Sequence, residues 1–211
     1  LRLPKGDRVY DNPFAEGWPR SVREGESERE LANIHGTFYE TPLLTIRGAP
    51  SFKKLRPVAS HNKQISDFAT WTGLLVLAGV NLDADLDEHI YKSPAKDVAL
   101  WFGGIDDLWK LGKPVGVGGP WKDTVVKAGL ASDPYLMTGY DQKTVEITSD
   151  KDVNITLEVD IDHQTGFRKY RTFTVKAGET VEHQFEAGYS AHWVRAVADE
   201  DCHATVWFVY R

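Results

Sequence analysis

The sequence predicts an all-β protein: blade-like antiparallel sheets, a partial β-propeller, followed by a C-terminal β-sandwich. Three observations predict it. From Lys143 to Arg211 apolar and polar residues alternate in run after run, each closed by Gly, Asp or Asn. The same two-residue period recurs after Gly36. The one stretch with helical character, Glu24 to Ala32, is short, is interrupted by Gly25, and reads equally well as extended chain.

In the front part, strands are expected over residues 37–46, 56–61, 64–71, 73–79 and 97–103. Residues 64–79 read as a hairpin. Ile65, Phe68 and Trp71 lead through Thr72-Gly73 into Leu74-Leu75-Val76-Leu77. The unbroken apolar second arm predicts a strand covered on both faces. Four strands in roughly 40–45 residues is the size of one propeller blade. Residues 36–112 are the length of one blade plus part of another, so either the missing blades come from a companion chain or an N-terminal part of the same precursor, or these strands form an ordinary sheet. The opening Leu1-Arg2-Leu3-Pro4 has neither a start Met nor an apolar leader segment, so a mature product or a piece of a longer protein is expected.

Residues 113–120 are dense in Gly and Pro and read as a connector. The expected division is residues 1–130 as the blade-like region and 131–211 as the sandwich. Gly116, Gly118 and Gly119 do not make a dinucleotide fingerprint, because Pro120 and a strand-like stretch follow where that motif needs a helix. The sandwich strands are expected over 144–148, 154–160, 169–175, 180–185, 192–199 and 204–211. Ile155, Leu157 and Val159 share one face of their strand, as do Val206, Phe208 and Tyr210. Gly178 and Gly188 mark the turns between them.

Composition excludes some partners. The chain carries 25 basic and 31 acidic residues, net −6. Residues 131–211 hold 14 acids and 8 bases, which is that entire excess. Such a surface repels a phosphate backbone, so nucleic acid is not an expected partner. No membrane is expected either, since the longest apolar run, Leu74 to Val80, is far shorter than a span. The single cysteine, Cys202, permits no internal disulfide and reads as a small hydrophobe at a strand start.

Three strings carry a family likeness. They are Gly36-Thr37-Phe38-Tyr39-Glu40, Leu100-Trp101-Phe102-Gly103 with the following Ile105 to Pro114, and Ser132-Asp133-Pro134-Tyr135-Leu136-Met137-Thr138-Gly139-Tyr140-Asp141. They resemble the C-terminal part of large, mostly uncharacterised bacterial proteins, a β-propeller plus a β-sandwich, associated with polysaccharide degradation. The resemblance runs from about Trp18 to the end. It implies a secreted or periplasmic, carbohydrate-active protein, but brings no catalytic assignment.

Candidate chemistry follows from residue type. Seven Trp and eight Tyr are a generous supply of rings on which the C–H face of a sugar can stack. Trp18, Trp101, Trp109 and Trp121 lie near turns, where exposure is expected, whereas Trp71, Trp193 and Trp207 lie in or beside strands and are expected in the core. Trp109 and Trp121, flanking the Gly-rich run, are the candidate substrate-binding rings, with Asp106 and Asp107 as hydroxyl- or cation-binding neighbours. His35, Glu40 and His61 sit at strand ends and form the candidate acid/base set of a hydrolase or lyase. The alternative is that His35 and His61 cap turns and Glu40 pairs with a surface Arg.

Asp150, Asp152, Asp160 and Asp162, with Asp199, Glu200 and Asp201, admit a structural calcium, though solvated turns explain them as well. His163, His183, His192 and His203 lack the spacing of a zinc site. No other cofactor is expected. The sequence thus points to the C-terminal part of an extracytoplasmic carbohydrate-active protein, a polysaccharide hydrolase or lyase. Its contribution is glycan-contacting residues and a supporting sandwich. The alternative is a non-catalytic carbohydrate- or protein-binding β module.

Overall fold

The computed structural model describes residues 1–6, 22–24, 30–41, 51–61, 63, 65–83, 85 and 88–211, with backbone alone at 22–24 and 51–52. Trp18 and residues 42–46 of the first expected strand lie outside the described residues. The chain divides into two compact units. A tail unit contains Leu1–Lys5 and Val115–Arg211, and a front unit contains Gly6–Pro114. The division falls within the Gly/Pro run rather than after residue 130.

All the strands pair antiparallel. In the front unit they are β1 (Val22–Glu24), β2 (Glu30–Ile34), β3 (Thr37–Thr41), β4 (Arg56–Ser60), β5 (Asp67–Trp71), β6 (Leu74–Ala78), β7 (Ile90–Lys92) and β8 (Ala99–Gly103). The tail unit carries β9 (Gly116–Val126), β10 (Tyr135–Leu136), β11 (Lys143–Ser149), β12 (Val153–Asp160), β13 (Arg168–Val175), β14 (Thr180–Gln184), β15 (Trp193–Ala198) and β16 (Cys202–Tyr210). Two short 3₁₀ segments, Ser51–Lys54 and Ile105–Leu111, complete the described elements. The stretch read as helix or extended chain is extended at both described ends, Glu24 in β1 and Glu30–Ala32 in β2.

In the tail unit two four-stranded sheets, β10-β15-β12-β13 and β14-β11-β16-β9, share one core. Alternation does the work. Ile155, Leu157 and Val159 are buried from β12, and Val206, Phe208 and Tyr210 from β16. Tyr135 of one sheet stacks on Phe208 of the other with centroids 5.5 Å apart. Each such side chain contributes about 1.5–3 kcal/mol through its burial. Cys202 joins this core, and burial pushes its thiol pKa up.

The expected Gly/Pro connector is instead a strand. Gly116–Val126 pairs along β16, with register shifts between Ala204 and Phe208. A Cβ at Gly119 would lie 1.9 Å from the Val206 carbonyl oxygen, so the glycine permits a close backbone approach at the irregularity. Composition suggested flexibility where the requirement is proximity.

In the front unit the sheets are β1-β2-β3-β4 and β5-β6-β8-β7. Leu31 and Phe38 from the first meet Phe68, Leu75 and Leu77 from the second, with Leu108 of the 3₁₀ segment closing the cluster. Phe38 and Phe68 touch edge to face at 5.4 Å. Strand β6 departs from expectation because only one of its faces is buried. Leu75 and Leu77 are in the core, whereas Leu74 is exposed. Trp71, expected in the core, is 62% exposed and lies beside Leu74 in the β5–β6 register. Trp193 is buried as expected, and Trp207 is only partly so, with the Lys122 ammonium 4.9 Å above its ring.

Candidate functional site

The hairpin β2–β3 and strand β4 carry the candidate acid/base residues. His35 forms the hairpin turn with φ 50°, and its carbonyl accepts from the Gly6 amide at 3.0 Å. His61 follows β4 at the same end, its amide donating to the Gly36 carbonyl at 2.8 Å. Glu40 pairs with Arg56 in the register. It is three residues along β3 from Thr37, which pairs with Ser60, and that is about 10 Å of strand. The register therefore brings the two histidines to one sheet end and leaves Glu40 at the other.

His61 is enclosed. It is 8% exposed, and its ring is 5.2 Å from that of Phe38. The Lys63 amide donates to its Nδ1 at 2.9 Å, so Nε2 carries the proton and donates to the Asn33 side-chain oxygen at 2.9 Å. Burial, reinforced by the Lys63 charge, lowers its pKa to about 4. The ring is neutral at pH 7 with both nitrogens occupied. Its arrangement fixes the Lys63 amide and leaves neither nitrogen open to a substrate.

Asp107 belongs to the 3₁₀ segment Ile105–Leu111. The Gly104 amide donates to its Oδ2 at 2.7 Å, and Lys110 pairs with its Oδ1 at 2.8 Å. Those bonds, Lys110 first, hold its carboxyl below the usual range. Asp107 thus caps its own turn, while Asp106 and Trp109 are exposed, the latter at 63%. Trp121 belongs to the tail unit and is 5% exposed within its core, a position that offers no open ring face.

A concave site does exist in the front unit. A groove of about 650 Å³ is floored by Ile65, Leu77, Trp101 and Leu111, with Lys63 and Asn81 also lining it. The inner row of the second sheet builds its wall, since Leu77 pairs with Trp101 and Trp101 with Ile90. Gly103 makes room for the indole, because a Cβ there would come 2.2 Å from the Trp101 ring. His89 stacks on Trp101 at 5.1 Å and 22°, and its Nδ1 donates to the Phe102 carbonyl at 2.8 Å. The indole is thereby held in place before any ligand arrives, the pre-formed character usual for small-molecule sites of roughly 300–1,000 Å³.

Compared with known proteins, the chain matches no family model and no curated protein. The site therefore rests on its own geometry.

Five of the Asp residues weighed for calcium are turned toward local partners, whereas Asp160 is buried with its Oδ1 lacking a hydrogen-bond partner among the described residues. Asp152 pairs with Lys176 at 2.7 Å, Asp201 with Lys127 at 2.7 Å, and Asp199 accepts from the Asn154 amide at 2.8 Å. Asp150 accepts from the His203 amide at 2.7 Å. Asp162 accepts from the Thr165 and Gln164 amides, which bring its pKa to about 2. Among the described residues no group of three or more His, Cys, Asp or Glu could hold a metal ion. No helix among them is long and apolar enough to cross a membrane.

Sequence reasoning singled out Trp101 as a turn-adjacent ring but missed Lys63, Asn81 and the groove. The one local signal was the polar run His61-Asn62-Lys63-Gln64 in the sequence. What assembles the site is the pairing of β6, β8 and β7, which no local pattern announces.

Proposed function

We propose that this chain binds carbohydrate as the C-terminal part of an extracytoplasmic carbohydrate-active protein. In this reading the front unit is a pair of propeller-like blades that carry the glycan-contacting groove. The tail unit is the supporting β-sandwich. The observation that carries the reading is the groove itself, an indole held by His89 and floored by aliphatic side chains, with Lys63 and Asn81 to orient a ligand. A pyranose has an apolar C–H face and a polar rim of hydroxyls, which is the chemistry such a lining complements.

The binding role is preferred over an acid/base role for residues of this chain. His61 has both ring nitrogens engaged, and Glu40 stands at the far end of its sheet from the histidines. Hydrolysis or elimination would then be the task of groups elsewhere in the assembly. Affinity electrophoresis through gels containing neutral and acidic polysaccharides tests the reading. Retardation by at least one soluble polysaccharide is expected; free migration through all of them would overturn it.

A protein-binding module is the second reading, and one observation favours it. The outer face of the second front sheet exposes Trp71 at 62%, Tyr91 at 57% and Leu74, grouped around Phe102. Contiguous exposed apolar surface of this kind is a recurrent mark of protein contact. Trp71→Asp discriminates the two, since it would abolish a protein contact while leaving retardation by polysaccharide unchanged.

A further inference from the structure

Charge decides what kind of saccharide the groove would hold. Among its described lining residues Lys63 is the one charged group, and none of them is a carboxylate. Elsewhere Lys110 pairs with Asp107, Lys127 with Asp201 and Lys176 with Asp152. Lys63 makes no such ion pair among the described residues.

Its backbone is fixed on both sides. The amide donates to His61 Nδ1 at 2.9 Å and the carbonyl accepts from the Ile65 amide at 3.1 Å. The backbone at Lys63 is therefore tied to a buried neutral histidine. Asn81 is oriented likewise, because its Oδ1 accepts from the Asp83 amide at 3.0 Å. That leaves its Nδ2 hydrogens as the donors available to a ligand.

We infer that the groove selects an anionic saccharide, a hexuronate-containing oligosaccharide whose sugar face lies on Trp101, with its carboxylate paired to Lys63. The inference rests on the carbohydrate reading above and narrows it to a substrate class. A neutral sugar would satisfy the indole and Asn81, yet it would take water from the Lys63 ammonium without replacing it. A uronate replaces that water with a charge-assisted hydrogen bond, the stronger kind. Ile65, Leu77 and Leu111 supply apolar surface beside the pair.

The test is calorimetric titration of the full chain with an oligogalacturonate and with a neutral xylo-oligosaccharide of equal length, at low and high salt. The uronate is expected to bind about tenfold tighter at low salt, with the advantage shrinking as salt screens the pair. Lys63→Gln, at an exposed position, is expected to fold as the parent chain and to bring the uronate to the affinity of the neutral sugar. Equal affinity for both sugars, or an unchanged uronate affinity in Lys63→Gln, would overturn this inference and leave carbohydrate binding standing. Binding of neither sugar, together with free migration through every polysaccharide gel, would overturn both.

Discussion

The two units are built from the same element, a four-stranded antiparallel sheet, and use it differently. In the tail unit the buried faces of both sheets close around one core, and the exposed carboxylates of Asp152, Asp199 and Asp201 are tied to lysines or backbone amides. In the front unit the second sheet has an inner face that ends in a groove and an outer face that leaves Trp71, Leu74 and Tyr91 in solvent. Apolar surface left uncovered is the costlier arrangement, and it is where a partner or ligand has something to gain. On the proposed reading, the difference corresponds to support from the tail and recognition by the front.

That contrast can be broken at several points. The largest effect is expected from Phe208→Ala, which empties a fully buried position stacked against Tyr135. A loss of about 3–5 kcal/mol is expected for the tail unit by chemical denaturation. A loss under about 1 kcal/mol would mean that the tail core is loosely packed.

The front unit should respond to acid through His61. Its folded pKa, about 4, lies below its ordinary value of 6.5, so between those values the unfolded chain binds the proton that the folded one excludes. Stability of the front unit therefore rises with pH across that window. It should be lower by about 3 kcal/mol at pH 4 than at pH 7. Hydrogen exchange of the Phe38 and Phe68 amides against pH reads it out, and His61→Gln should remove the slope.

Gly119→Ala sharpens the comparison at the Gly-rich run. A true connector would tolerate the methyl, whereas the strand requires the space, so a loss of about 1–3 kcal/mol is expected. The smallest effect belongs to Trp71→Ala. Because the ring is solvated, its removal should change stability by less than about 0.5 kcal/mol, far less than removal of a core tryptophan.

Much of the fold was legible because a two-residue alternation ties burial directly to sequence. Residues 154–160 and 204–211 read correctly since each apolar side chain there meets a single shared core. The outer face of β6 was not legible. Leu74 and Val76 are as apolar as Leu75 and Leu77, and nothing local says that one face remains uncovered. The Gly-rich run misled for a related reason, since glycine serves close backbone approach as readily as flexibility. At the candidate site, the exposure of Trp109 and Asp106 was legible from their turn position. The burial of Trp121 was not, because it depends on pairing with Val206 across β9 and β16. Lys63 and Trp101 are thirty-eight residues apart and meet at one groove only through sheet register.

Carbene footprinting of the chain with and without a bound acidic oligosaccharide tests the central claim most directly. Protection is expected at Lys63, Asn81 and Trp101, with Trp71, Tyr91 and the tail unit labelled as before. Protection confined to the tail unit or to the Trp71 face, with the groove labelled equally in both states, would contradict it.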